Sequence, residues 1–279
     1  MILIADSGST KTEWIMGDCR CRTGGINPFY LSTNEIVSLL EREFTLEVER
    51  VSTVIFYGAG ALPHKKQAIV EALRTVFGTD DVTVESDLLG AARALCGHSE
   101  GIACILGTGS NSCYYDGEKI VSNIPPLGFI LGDEGSGAFL GRRLLADLLR
   151  GMLPGYIRDD FERQYNASKE DIQESVYRRP LPNRYLAGFT HFIAKHIQCS
   201  EISALVDEGF NAFVERNILL YPESKMLPIH FTGSIAYIFR SSLEKVLSRK
   251  GLQLGAVHQS PLAGLLEYHS DLFAESRRQ

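Results

Sequence analysis

The first five residues, Met1 to Ala5, are an unbroken apolar run that stops at a cluster of turn formers, Asp6-Ser7-Gly8-Ser9-Thr10-Lys11. A short apolar run bounded by turn signals predicts a buried strand, and Thr12 to Met16 predicts its return. Apolar positions Ile36, Leu39, Leu40 and Phe44 then recur at helical spacing. Val51 to Tyr57 predicts a strand ending in Gly58-Ala59-Gly60, and Lys65 to Phe77 a helix. Val82 to Glu85 predicts a short strand stopped by Ser86-Asp87, and Leu88 to Cys96 a helix with Asp87 placed to cap it. A hairpin followed by strand–helix alternation predicts a mixed sheet flanked by helices.

The pattern then begins again. Gly101 to Leu106 is a second apolar run, ending in Gly107-Thr108-Gly109-Ser110-Asn111, and Ser112 to Tyr115 predicts its return. Asp116-Gly117 is a hairpin signal into Lys119 to Val121. Two starts of one kind, each an apolar strand, a glycine turn with small hydroxyl residues and a return strand, predict an internal duplication. After Gly132-Asp133-Glu134-Gly135-Ser136-Gly137 the periodicity is helical over 138–149, 159–165, 169–177, 185–197 and 202–217. Leu227 to Phe231 predicts a strand leading through Thr232-Gly233-Ser234 into a helix over 235–247. Pro261 to Phe273 predicts a last helix, followed by an Arg277-Arg278 tail. Nothing in the chain reads as a linker or a low-complexity segment.

Composition narrows the class. A chain of 279 residues predicts about two domains. With 44% hydrophobic and 22% charged residues it has the balance of a folded globular protein. A net charge of −6 argues against a nucleic-acid or acidic-membrane partner. The six cysteines (Cys19, Cys21, Cys96, Cys104, Cys113 and Cys199) show neither zinc-ligand nor C-x-x-C spacing. Cys104 and Cys113 lie in strand-like runs, Cys19-x-Cys21 reads as a turn, and the set reads as reduced thiols. The seven histidines show no ligand spacing and read as surface or packing residues. With no signal-like or membrane-length segment, the expected location is the cytoplasm.

The candidate chemistry lies in the glycine turns. Turns of small residues expose backbone N–H groups that can cradle phosphate. The chain lacks G-x-x-x-x-G-K-[ST], a first-strand G-x-G-x-x-G, G-x-S-x-G and H-E-x-x-H. What it has instead is Asp6-x-Gly8-x-Thr10-Lys11-Thr12, Gly107-Thr108-Gly109-Ser110 and Thr232-Gly233-Ser234, each after a strand.

These segments, with Glu13, Gly25-Ile26-Asn27, Ser86-Asp87, Asn111 and Gly132-Asp133-Glu134-Gly135-Ser136, span nearly the whole chain in order. They resemble the N-acetylglucosamine kinase and BadF/BadG/BcrA/BcrD-type ATPase family of the sugar kinase–Hsp70–actin superfamily. The resemblance implies an α/β fold of two ribonuclease H-like, actin-like ATPase domains with a nucleotide cleft between them. It places an N-terminal domain at 1–100, a C-terminal domain with a helical insertion at 101–262, and at 263–279 a helix packing back on the first domain. It implies ATP and Mg²⁺ as cofactors, with Asp6 holding the metal through water. Gly8, Thr10, Gly107, Thr108 and Gly109 are implied at the phosphates, and Gly233 and Ser234 at the adenosine. Asp87 is implied as general base, and Asn27, Asp87, Ser110, Asn111, Leu127, Gly128 and Asp133 as sugar contacts. The implied partner is a small-molecule sugar, with a homodimer left open and no nucleic acid or membrane.

The implied activity is transfer of phosphate to the 6-hydroxyl of a hexosamine, N-acetylglucosamine first. Two positions depart from the family pattern. Leu127 stands where the animal enzymes have a Gly-Trp-Gly wall, and Gly58-Ala59-Gly60 lacks the acidic residue that follows the equivalent glycines. Glucosamine therefore stays open as acceptor, as do an ATPase activator of a 2-hydroxyacyl-CoA dehydratase and a non-catalytic sugar or nucleotide sensor. No cysteine falls just after a glycine-rich phosphate turn, where a bridging cluster ligand of such an activator is expected.

Overall fold

The computed structural model describes residues 1–270, so the end of the predicted C-terminal helix and the arginine tail lie outside the described residues. The chain divides into two compact units, Met1–Ala103 with Tyr115–Val121 and Ser260–Gln279, and Cys104–Tyr114 with Ser122–Gln259.

The first unit opens with strands β1 (Ile2–Ser7), β2 (Lys11–Met16) and β3 (Cys19–Gly24), then helix α1 (Thr33–Glu43). Strand β4 (Thr53–Gly58), helix α2 (Gln67–Phe77), strand β5 (Val82–Ser86) and helix α3 (Asp87–Cys96) follow. The sheet order is β3-β2-β1-β4-β5, with β2 antiparallel to β1 and β3, and β1, β4 and β5 parallel. Side chains alternate between two apolar layers, as strand geometry requires. Leu3, Ala5, Trp14 and Phe56 join Ile36, Leu40, Ile69 and Leu73 of α1 and α2 on one face. Ile2, Ile4, Ile55 and Tyr57 line the other. Burial on both faces explains why β1 reads as a continuous apolar run.

Cys19-x-Cys21, read from the sequence as a turn, is the start of β3. The reversal is completed by Gly17 and Asp18, and Cys21 pairs with Trp14 across the ladder. Strand β3 lies at the sheet edge and three of its six residues are exposed, which hid it from a hydrophobicity pattern.

The second half of the chain is built on strands β6 (Gly101–Leu106), β7 (Ser110–Tyr115) and β8 (Ile120–Ile124). Helices α4 (Gly128–Leu131), α5 (Gly137–Leu149), α6 (Gly155–Tyr165), α7 (Lys169–Tyr177), α8 (Pro182–Ala187), α9 (Thr190–Lys195) and α10 (Ser200–Arg216) follow. Strand β9 (Ile229–Thr232), helices α11 (Ser234–Ile238) and α12 (Arg240–Arg249), and strand β10 (Leu254–His258) complete it. Its sheet order, β10-β9-β6-β7-β8, is the order of the first sheet read from the other edge. The repeat inferred from two matching glycine turns is thus a repeat of whole sheet topology.

Two helices expected to be continuous are each broken in two. The predicted helix over 185–197 falls across α8 and α9, which separate at Gly188, whose N–H is shared by the carbonyls of Arg184 and Tyr185. The one over 235–247 divides at Phe239, which leaves helical geometry with φ −104° and ψ 29°. The chain ends its described part in helix α13 (Leu262–Tyr268), which packs within the first unit on α3 and β1. None of the six cysteines forms a disulfide, and Cys104, Cys113 and Cys199 are buried. Among the described residues no helix is long and apolar enough to cross a membrane.

Candidate active-site residues in the two units

In the first unit the acidic candidates gather at the carboxyl ends of parallel strands, the edge at which open α/β sheets bind ligands. Ser7 of β1, Gly58 of β4 and Ser86 of β5 lie in one register across the sheet. Asp6 is one residue before that line and Asp87 one residue after it. Asp87 is not the cap of α3, as the sequence predicted, but its first residue. The cap is Ser86, whose hydroxyl accepts the Leu89 N–H at 3.2 Å. Serine is among the best caps, so Asp87 is spared that task.

The Asp87 carboxylate accepts the Leu88 N–H at 2.9 Å. Burial pushes its pKa up to about 6, against the lowering effect of the backbone donors of Leu88 and Asp87. Asp6 is pushed up to about 7, first by burial, then by the charges of Asp87 and Glu13, with Lys11 opposing. Lys11 is itself engaged by Glu13 at 2.7 Å. Both carboxyls resist ionisation chiefly because they are withdrawn from water, and at Asp6 the neighbouring carboxylates add to it.

The turn between β1 and β2 holds Gly8, whose N–H donates to the Lys11 carbonyl at 3.0 Å, and presents Thr10 at its exposed tip. A hydroxyl network anchors the base of this turn. Ser7 Oγ lies 2.7 Å from Thr12 Oγ1 and both accepts from and donates to the Ile26 backbone at 3.0 Å. Asn27 follows directly, buried, with its carbonyl oxygen accepting the Phe29 N–H at 3.0 Å.

In the second unit the candidates converge on the carboxyl end of β6. The carbonyls of Gly107 and Thr108 accept the first N–H groups of α5, from Gly137 at 2.8 Å and Ala138 at 3.1 Å. Asp133 reaches the same turn and accepts the Ser110 N–H at 3.2 Å. Its backbone adopts φ +55°, uncommon for a residue with a side chain and worth functional scrutiny. Burial raises the Asp133 pKa, the Ser110 N–H opposes, and Glu134 adds to the rise. Glu134 is paired with Arg216 at 3.7 Å. Gly233, at φ +114°, runs so close to the Leu106 carbonyl that a Cβ would collide with it. Only glycine satisfies both conditions, so the Thr232-Gly233-Ser234 turn is welded to the start of the Gly107 turn. Ser234 is exposed as the first residue of α11.

Two sugar candidates are placed differently. Asn111 turns its carbonyl oxygen back to its own sheet, accepting from Ser112 at 2.9 Å and Asn123 at 3.0 Å. Leu127 is 58% exposed and, with Gly128, starts α4, whose Ile130 and Leu131 are exposed as well. Among the described residues no three His, Cys, Asp or Glu side chains converge as a ready-made metal cage. Sequence reasoning missed Tyr57 and Gly90, which pack together beneath the Asp6 edge. The one available signal was the glycine inside an otherwise regular helix pattern.

No protein-family profile and no curated protein sequence matches the chain. Solved structures do. A provisionally assigned N-acetylglucosamine kinase from Porphyromonas gingivalis is 48% identical over 97% of this chain and 99% of its own, with a TM-score of 0.94. A second such protein, from Chromobacterium violaceum, is 19% identical over 96% of this chain and 98% of its own, at 0.70. A ROK family glucokinase from Streptomyces griseus, solved with glucose and AMPPNP, is 15% identical over 97% of this chain and 98% of its own, at 0.57. The latter two share the fold alone. Two mixed five-stranded sheets of one topology, flanked by helices, are the two-domain actin-like ATPase fold.

Proposed function

Because the chain belongs to the N-acetylglucosamine kinase-like family of the sugar kinase–Hsp70–actin superfamily, we propose that it is an ATP- and Mg²⁺-dependent kinase of the hexosamine 6-hydroxyl, with N-acetylglucosamine the preferred acceptor. The observation that carries this reading is Asp87, a half-buried carboxyl whose pKa is pushed up to about 6, at the sheet edge that also holds Asp6.

Phosphoryl transfer asks a protein for alignment and charge stabilisation more than for covalent chemistry. At neutral pH Asp87 is ionised yet basic enough to take the acceptor's proton. As the sugar O6 forms its bond to the γ-phosphorus and the bridging bond to ADP breaks, the O6 proton passes to an Asp87 carboxylate oxygen. Asp6 suits magnesium. Its pKa is raised first by burial and then by the Asp87 and Glu13 charges that a cation would offset, and one or two carboxylates are the usual protein share of a magnesium ion held largely by phosphate and water. Bound there through water, the metal would supply neutralisation of phosphate charge.

Gly8, Thr10, Gly107, Thr108 and Gly109 take the phosphates through their turns. Gly233 and Ser234 take the adenosine. Asp133 accepts hydrogen bonds from sugar hydroxyls, where a charged acceptor is about twice as effective as a neutral one. Asn27, Ser110, Asn111, Leu127 and Gly128 complete the sugar contacts. The exposed Leu127, a smaller apolar surface than an aromatic wall, keeps glucosamine as the second candidate acceptor.

ADP release measured with N-acetylglucosamine, glucosamine, N-acetylmannosamine, glucose and no sugar tests the proposal. Stimulation is expected to be largest with N-acetylglucosamine. Equal release with and without every sugar overturns the kinase reading, and a larger response to glucosamine reassigns the acceptor.

A further inference from the structure

Beneath the Asp6–Asp87 edge of the first unit lies a partly buried polar chain that no step above uses. Tyr57 of β4 is fully buried, and its hydroxyl has two partners, Arg93 Nη1 at 2.9 Å and His269 Nε2 at 2.8 Å. Arginine only donates, so Arg93 donates to the Tyr57 oxygen, and the Tyr57 hydroxyl donates to His269 in the tautomer that leaves Nε2 bare. The imidazole can accept this bond because burial, with the Arg93 charge adding, pushes its pKa down to about 4 and keeps it neutral. His269 follows α13 directly, so the C-terminal helix is tied through this chain to the middle of the sheet.

The Tyr57 ring also carries helix α3. Asp6 and Tyr57 are register partners on parallel strands and so lie on the same sheet face. On that face α3 sits against the ring at Gly90, where a Cβ would lie 2.7 Å from Tyr57 Cγ and 2.8 Å from its Cβ and Cδ1. Gly90 is one helical turn from Asp87, and Arg93 is one turn further along the same helix. The height of α3 over the sheet, and with it the position of the Asp87 carboxyl, is therefore set at the Tyr57 ring.

We infer that Tyr57, oriented by Arg93 and His269, is a positioning residue that fixes Asp87 relative to Asp6 for phosphoryl transfer. The inference rests on the kinase reading for its consequence, although the geometry can be tested apart from turnover.

Tyr57→Phe keeps the ring and removes the hydroxyl, Gly90→Ala pushes helix and ring apart, and Arg74→Ala on the exposed side of α2 serves as control. Misplacing a reacting group by about 1 Å costs on the order of a hundredfold in rate. Tyr57→Phe is expected to lower kcat by roughly tenfold or more while KM for ATP and sugar stays within about twofold, the mark of a lost transition-state alignment. Gly90→Ala should behave likewise and more severely. In protein labelled with ¹³C at aspartate carboxyls, the Asp87 resonance, assigned by its loss in Asp87→Asn, should move in both variants at fixed pH and stay put in Arg74→Ala. A folded Tyr57→Phe with unchanged kcat, or an unmoved Asp87 resonance in both variants, overturns the inference. If the wild-type protein shows no sugar-stimulated ADP release, the kinase reading fails on its own account, and the resonance alone decides the positioning.

Discussion

The carboxylate of Asp133 occupies the space that a side chain at Gly109 would need, with Oδ2 2.9 Å and Cγ 3.2 Å from the position of a Cβ there. Asp133 has little freedom to retreat, because its backbone is held at φ +55° and its other oxygen accepts the Ser110 N–H. Gly109→Ala should therefore act through Asp133. We expect sugar KM to rise by about tenfold in Gly109→Ala and more in Asp133→Ala, which also removes charge-assisted hydrogen bonds of about 1.5–3 kcal/mol each. The Gly109→Ala/Asp133→Ala double variant should be little worse than Asp133→Ala alone, since groups in direct contact do not add. Steady-state kinetics of the four proteins test this, and simple additivity would show the contact to be inconsequential for sugar.

Asp87→Asn keeps the shape of the side chain and removes the base. A positioned general base contributes about 10²–10⁴-fold, so kcat should fall by that order while the dissociation constant for AMPPNP, measured by calorimetry, stays within about twofold. In the wild-type protein only the ionised carboxylate can accept the proton. The rate should climb as pH rises through about 6 and level off above it. A pH–rate profile for kcat checks the limb. A profile flat down to pH 5 would remove Asp87 from the role of base.

Legibility in the sequence followed local chemistry. Strands buried on both faces, such as β1 and β6, announce themselves as apolar runs, and glycine turns announce themselves by composition. These were enough to reveal the repeat and to carry the family resemblance from which the candidate residues were taken. Edge strand β3 was lost because half of it faces water, and β10 because Gly255-Ala256 breaks its apolar pattern. Helix breaks at Gly188 and Phe239 depend on packing that no periodicity records. The cap of α3 was misplaced by one residue, because aspartate and serine both cap helices and only the backbone shows which of two neighbours does so. Tyr57 carried no signal of its own, since its hydroxyl partner His269 lies 212 residues away in sequence and only Gly90 hinted at the close approach of α3.

Trp14 offers a probe confined to the first unit, because it is the only tryptophan in the chain. The ring is fully buried, meets Phe44 edge-on at 5.4 Å, and donates its indole N–H to Thr23 Oγ1 at 3.0 Å. Native fluorescence should be blue-shifted and should turn red as the first unit unfolds. Thr23→Val keeps the volume and leaves the buried N–H without its acceptor, which should cost about 1–3 kcal/mol. Urea titration followed at the tryptophan should show that loss as a lower midpoint with unchanged slope. An unmoved midpoint would mean that another acceptor or water takes over.

Asp6 should make the fold less stable as pH rises. In the unfolded chain its carboxyl titrates at the ordinary 3.8, whereas in the folded protein it holds its proton up to about 7. The folded state thus binds the proton more tightly. That contribution to stability is complete below the unfolded value and is lost as pH climbs through the folded one. Asp6→Asn cannot ionise, so it escapes the loss. Its gain over the wild-type protein should already be on the order of 1–2 kcal/mol at pH 5, because the loss begins above 3.8, and should grow by roughly 2–3 kcal/mol more by pH 8, or several degrees in Tm for a chain of this size. Thermal unfolding at the two pH values in magnesium-free buffer measures the difference. The variant should at the same time lose the magnesium dependence proposed for Asp6, stability being gained where function is given up. An equal gain at both pH values would assign the effect to packing and would deny Asp6 the unneutralised charge that makes it a fitting metal ligand.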